Sequence, residues 1–341
     1  MSASRHLLAA AFAAALALAW TPPSSADPLP IHIGWAQAPG HLAPLLDELA
    51  KRHPDVMPHQ GKSYAAEAVR FNGSTPQIQG LAAGQLEIAA FAPSSLALAI
   101  TNAHLDVRVV SDVIQTGTQG YFDQPYMVRK DGPITKVEDV KGKRIATNAI
   151  GSASDAAMRV MFAKHGIKDN DFTTVEANFA NMVAMIEDQK VDLIAVMPQF
   201  EHRLNETGKY KTLFTMGNAV GPSQTVLWAM RADFIKAHRP VLVDFFEDHI
   251  RGVRWFLDPK NRTEALAIAE AVTKQKPEDL AYAFTKGDFY RSPDCVPNMK
   301  AAQGDIDESV KLAVIPKSVK LEPQYVDLSL IREAKRRIDG K

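Results

Sequence analysis

From Ile31 onward, short apolar runs alternate with segments whose apolar residues recur every three to four positions. Polar turns rich in small residues separate the two. This alternation constrains the fold more than any other feature, because strands separated by helix-length segments pair in parallel through right-handed crossovers. Ile31–Trp35 reads as a strand that empties into the loop Ala36–Gly40, and Leu42, Leu45, Leu46 and Leu49 then share one helix face. Thr75-Pro76 has the form of a helix start, with Thr75 as N-cap, Pro76 in the first turn and Gly84 as the stop. Glu87–Phe91 is a small-residue strand. Pro93-Ser94-Ser95 opens the next helix, to about Asn102, and Val107–Ile114 is a further strand.

A second block of the same kind begins near Gly120. Its strands are Tyr126–Arg129, Arg144–Thr147 and Val191–Val196, and its helices start after Gly151-Ser152 and at Asn178. In Ser152-x-x-Asp155 the serine hydroxyl is expected to accept from the N3 amide, with the carboxylate at the positive end of the helix. Thr225–Met230 is another strand. From Ala232 the pattern is helical, with a long segment Phe234–Leu257 and a last helix Leu328–Ile338. A chain of 341 residues exceeds the ~250–300 that one core supports, so two domains are expected. An apolar content of 46% excludes a disordered or collagen-like chain.

The first 26 residues set the expected compartment. Arg5 and His6 precede the apolar run Leu7–Trp20, which falls short of the ~18 residues that span a bilayer. Small residues follow at Ser24-Ser25-Ala26, so residues 1–26 read as a secretory signal cleaved after Ala26, giving a periplasmic product. The 39 basic and 39 acidic residues balance, which leaves no electrostatic case for a nucleic-acid partner. Cys295 is the single cysteine, so an internal disulfide and a four-cysteine zinc site are impossible; between prolines it reads as an inert loop thiol.

Catalytic motifs are missing from the sequence. Neither Ser94-Ser95 nor Ser152–Ser154 has the G-x-S-x-G form of a nucleophile elbow. His32, His41, His53 and His59 lie near one another but match no metal-ligand spacing, and no phosphate-cradling glycine loop follows a strand. Neither an enzyme nor a cofactor or metal site is therefore expected. What remains is a set of strand ends feeding helix starts: Asn72–Thr75, Ala92–Ser95 and Asn148–Ser154. Free amides and about half a positive charge at such starts attract carboxylate, sulfonate or phosphate without any lysine. Ligands of open α/β sheets lie at these strand ends, and Trp35, Phe71, Tyr121, Phe179 and Trp228 could supply flat apolar walls.

Four stretches carry a family resemblance: Phe71–Ala89, Val137–Ala146, the helix opened by Gly151-Ser152, and Met182–Met197. With them the chain resembles the solute-binding proteins of ATP-binding-cassette importers, in the sulfonate/nitrate/taurine and thiamine-precursor family. The resemblance implies an α/β, type II periplasmic-binding-protein fold: two βαβ lobes joined by two hinge crossings near Gln115–Gly120 and Val220–Thr225. Lobe one would be 27–117 and 223–341, and lobe two 118–222, with a ligand clasped between. By motif, contacts would come from Trp35, Gln37, Asn72, Ser94, Ser95, Gln119, Tyr121, Ser152, Ala153, Ser154, Asn178, Met197, Gln199 and Trp228. The implied partners are a small anionic ligand and an inner-membrane permease, and the protein would act as a monomer. Two departures bear on the ligand. Where many relatives have Gly-Asp, this chain has Ala92-Pro93-Ser94-Ser95, and where many have Trp-Asp/Glu-Pro it has Val196-Met197-Pro198-Gln199. Neutral groups thus replace acidic ones, which argues against an amine-bearing ligand and for a simple organic sulfonate or carboxylate, including aromatic ones. A neutral heterocycle such as a pyrimidine or thiamine precursor is the alternative, with a metal-dependent enzyme on the same scaffold behind it.

Overall fold

A computed structural model of the chain describes residues 27–340. The expected export signal, residues 1–26, lies outside the described residues. The strands are β1 (Leu29–Trp35), β2 (Tyr64–Arg70), β3 (Ile88–Phe91), β4 (Val107–Thr116), β5 (Pro125–Arg129), β6 (Arg144–Thr147), β7 (Thr173–Glu176), β8 (Leu193–Ala195), β9 (Tyr210–Thr215) and β10 (Ser223–Arg231). The helices are α1 (Ala43–Arg52), α2 (Gln77–Ala82), α3 (Pro93–Thr101), α4 (Ala153–Lys164), α5 (Phe179–Glu187), α6 (Pro198–Glu206), α7 (Met216–Val220), α8 (Ala232–Leu257), α9 (Arg262–Thr273), α10 (Met299–Lys311) and α11 (Ser329–Ile338).

Two five-stranded sheets result, ordered β2-β1-β3-β10-β4 and β7-β6-β8-β5-β9. The type II periplasmic-binding-protein architecture is therefore present, but the sheets are mixed rather than wholly parallel. β10 runs antiparallel to β3 and β4, and β5 runs antiparallel to β8 and β9. The reason is topological. β4 leaves the first sheet for the second, where β5 is the first strand, and β10 returns from the second to close the first.

β10 shows how the sequence builds a two-sided sheet. Every residue from Ser223 to Met230 is buried, as expected of a central strand covered on both faces. Val226, Trp228 and Met230 enter the core that holds α1, α8 and α11, whereas Leu227 and Ala229 enter the core made with α3 and α10. The alternation is the period of two of an extended chain. α8 is broken at His238, which has φ −121° and ψ 18°, two residues before Pro240, whose ring removes an amide donor and cannot follow a regular turn. No helix among the described residues is long and apolar enough to cross a membrane.

Three helix starts differ from expectation. α2 begins at Gln77, with Pro76 rather than Thr75 as N-cap. α3 is capped by Ala92 with Pro93 in its first turn, and the hydroxyls of Ser94 and Ser95 donate to the carbonyls of Gly151 and Ala92 instead of accepting from amides. Ser152 is the N-cap of α4, but its hydroxyl donates to Asn148 Oδ1 at 2.9 Å and to the Ala149 carbonyl at 2.7 Å. Asp155 instead turns back to the Gly151 amide at 2.8 Å and accepts from Arg159 Nε at 2.8 Å.

Candidate functional site

Turns at the carboxyl ends of the strands of both sheets meet at an inner cavity of about 50 Å³. The half built on the first sheet contributes Ala36, Gln37 and His41 between β1 and α1, Gly73 and Ser74 before α2, Ala90 of β3, Ile114 of β4, and Thr225 and Val226 of β10. The half built on the second contributes Asn148, Ser152, Ala153 and Ser154 at the start of α4, Phe179 at the start of α5, and Met197 before α6. Gln124 comes from the segment between β4 and β5, and Phe289 from the irregular chain before α10.

The turn before α2 is held by one side chain. Gln77 is fully buried; its Nε2 donates to the Gly73 carbonyl at 3.1 Å and its Oε1 accepts from the Ala90 amide at 2.7 Å. On the other side, Ser154 donates to Gln124 Oε1 at 2.8 Å. The two halves touch directly: Asn148 Nδ2 donates to the Asn72 carbonyl at 3.0 Å, and Ser94 to the Gly151 carbonyl at 2.9 Å.

Two buried polar atoms of lining residues, His41 Nδ1 and Ser74 Oγ, have no partner among the described residues. Burial is the main reason that the His41 pKa falls to about 3, with the Arg291 charge adding to it, so the imidazole is neutral at ordinary pH. A neutral imidazole can donate from one nitrogen and accept at the other. Among the described residues, no arginine or lysine lines the inner cavity.

Of the residues expected from sequence, Gln37, Ser152, Ala153, Ser154 and Met197 meet here. Asn178 and Gln199 line a second, outer chamber that Gln37 and Phe179 share with the inner one. Ser94 lines a small void beside α10, and Ser95 is buried at the start of α3. Asn72 takes part only in the contact between halves described above. Trp35 ends β1 with the Arg70 guanidinium 5.6 Å from its ring centre. Gln119 and Tyr121 lie in the segment between β4 and β5, where Tyr121 packs edge-on against Tyr290 at 5.3 Å. Trp228 is buried between the sheet and α8, 4.2 Å from the His249 ring.

Sequence reasoning missed His41, Ser74, Gln124, Asn148 as a wall residue, Thr225 and Phe289. Ser74 and Asn148 lay inside turns already singled out, whereas Phe289 carries no periodic signal. The other clustered histidines have structural partners: His32 pairs with Glu87, His59 with Asp248, and the His53 ring packs tilted against Trp255. Among the described residues no group of three or more His, Cys, Asp or Glu is placed to hold a metal ion. Cys295 is buried away from the cavity, and burial pushes its thiol pKa well up.

No curated protein matches the chain. Solved structures do. The alkanesulfonate-binding protein SsuA of Xanthomonas axonopodis pv. citri, bound to MOPS, superposes with a TM-score of 0.67 at 19% identity, covering 88% of this chain and 98% of that one. The periplasmic nitrate-binding protein NrtA of Synechocystis PCC 6803 gives 0.68 at 14% identity, covering 92% and 90%. A mutant of DszB in complex with biphenyl-2-sulfinic acid gives 0.60 at 11% identity, covering 90% and 99%. These likenesses establish the shared fold. The sequence pattern described as NMT1/THI5 like matches residues 67–262, more than half of the chain, and the protein therefore belongs to the NMT1/THI5-like family.

Proposed function

We propose that this protein is the extracytoplasmic solute-binding component of an ABC importer, capturing a small organic sulfonate or carboxylate and passing it to an inner-membrane permease. The lobes would be 27–117 with 223–341, and 118–222, hinged at the two chain crossings, and the protein would act as a monomer. The observation that carries the reading is a cavity at the junction of the two halves, bordered by helix starts and by the unpartnered His41 Nδ1 and Ser74 Oγ. The first amides of α4, at Ala153 and Ser154, have no acceptor within the helix, so an anion seated there satisfies them. The helix starts before α5 and α6 add their dipoles from the same side. The binding proteins for alkanesulfonate and nitrate, which share this fold, support the ligand class.

Binding without turnover is part of the proposal, despite the fold shared with the desulfurization enzyme DszB. Among the described residues His41 is the one imidazole beside the inner cavity, and a pKa of about 3 makes it a poor general base, which works best near the operating pH. One observation favours a second reading. Three side-chain amides, Gln37, Gln124 and Asn148, line the cavity and could pair with the edge of a neutral heterocycle such as a pyrimidine.

Calorimetry with alkanesulfonates, carboxylates, nitrate and pyrimidines separates these readings. Ala153→Leu should fill the inner cavity and abolish anion binding. Ser74→Ala should weaken it by about 1 kcal/mol, roughly fivefold, through the lost hydroxyl. Anion affinity unchanged in Ala153→Leu would refute this site, and pyrimidine binding with no response to anions would favour the heterocycle.

A further inference from the structure

The outer chamber, about 320 Å³, is larger than the inner cavity and differs from it in charge. Two arginines border it, Arg70 at the end of β2 and Arg203 on α6, one from each half of the molecule. The Arg70 guanidinium stands over the Trp35 ring and the Arg203 guanidinium 5.9 Å from the Phe200 ring centre. A cation held beside an aromatic face makes no hydrogen bond to it, so the guanidinium N–H donors are left for a planar anion. The nearest carboxylate to Arg203 is Glu187 at 3.8 Å, on an exposed pair that is worth little. Asp279 also borders the chamber, so its lining itself holds two cations and one carboxylate.

A further observation points to a ligand here. Gln199, only 7% exposed, opens α6 at the chamber wall; its Oε1 accepts from Tyr282 Oη at 3.3 Å, yet its Nε2 is buried with no partner among the described residues. Buried amide donors are normally satisfied, so this one has room for an acceptor that the chain does not supply. Gln37 and Phe179 border both cavities, which makes the two spaces neighbours along one path.

We propose that the chamber is an anion subsite formed by Arg70, Arg203 and Gln199, and that the natural ligand is a two-ended anion with one acidic group in the inner cavity and a second carboxylate or sulfonate in the outer chamber. This rests on the anion-binding reading above and narrows it from any small organic anion to an elongated one. Because the cations belong to opposite halves, the second acidic group also ties those halves together, as an ion shared between two guanidiniums does.

The test uses matched pairs of equal chain length: butane-1-sulfonate with 4-sulfobutanoate, and pentanoate with glutarate. In at least one pair the wild-type protein should bind the two-ended member at least tenfold more tightly by calorimetry. Arg70→Gln with Arg203→Gln should erase that preference while leaving the one-ended affinity within about twofold. Both arginines are exposed, so an unchanged melting temperature will show that the variant is folded. Equal affinities within both pairs, or a preference that survives in the double variant, would overturn the subsite alone. Failure of all four anions to bind would overturn the anion-binding reading and this inference with it.

Discussion

Asp305 is a half-buried carboxylate of α10 beside the start of β10, where Ser223 Oγ donates to it at 2.7 Å and the Gln224 amide donates as well. Burial outweighs these bonds and pushes its pKa up to about 7 from the ordinary value of 3.8. The folded state therefore holds this proton over a pH range in which the unfolded chain has released it. Below about 4 both states are protonated and Asp305 has no effect on stability. Between 4 and 7 stability falls as pH rises, and above 7 the full penalty of roughly 4 kcal/mol applies. Asp305→Asn keeps one acceptor oxygen and removes the ionisation. It should match wild type in urea unfolding near pH 3 and exceed it clearly at pH 8. An equal difference between the two proteins at both pH values would show that Asp305 is not buried in its charged form.

At the scale of elements, β1 and α2 are locked together through a position with no side chain. A Cβ on Gly34 of β1 would stand 2.0 Å from Gln77 Oε1 and 3.1 Å from Leu86 Cδ1. Gln77 is fully buried and already committed to Gly73 and Ala90, so it cannot swing away. Gly34→Ala should lower stability by about 2–4 kcal/mol, because overpacking and broken buried hydrogen bonds add. Ligand affinity should fall too, since the displaced turn carries Ser74. The contrast is Gly304 in the middle of α10, where a Cβ meets nothing within 4 Å. There Gly304→Ala should be neutral or stabilising by up to about 1 kcal/mol. Equal melting temperatures for the two variants would refute the packing argument.

The same elements show what the sequence made legible. Strand ends that feed helix starts could be read because turn chemistry is local, and they led to Ser152–Ser154, whereas Gln37 came through the family resemblance. β2 escaped notice because Tyr64–Arg70 is rich in alanine with Glu67 and Arg70, a composition that suits a helix as well; pairing with β1 decides it. Trp228 was legible as an aromatic near a strand end but not as a core residue, because the face it occupies depends on strand register. Asn178 was legible as a helix start and Gln199 only through the family resemblance, yet only the packing of α5 and α6 sends them to the outer chamber. Phe289 lay in an irregular segment where no period exists to be read.

For the whole molecule, the proposed capture of a ligand between two hinged halves makes affinity depend on how readily those halves come together, because such a ligand would bind only in proportion to the population of the closed arrangement. Gly73 sits at that junction. A Cβ there would stand 2.7 Å from Asn148 Nδ2 and 2.8 Å from Ala149 Cβ, both on the opposite half. The clash falls between the halves rather than inside either core, and Gly73 has no left-handed backbone to protect. Gly73→Ala should therefore act as a wedge: it leaves stability within about 0.5 kcal/mol, breaks the Asn148–Asn72 hydrogen bond, and disfavours closure. A shift of about 1.4 kcal/mol against the closed state lowers affinity tenfold, and loss of the hydrogen bond alone supplies roughly that amount. Small-angle scattering distinguishes a wedge from a lost contact. Wild type should compact when ligand is added, whereas the variant should remain more extended at the same saturation. If Gly73→Ala bound with wild-type affinity and compacted to the same radius, the halves would not move against each other at this seam, and the hinged reading of the two chain crossings would fail.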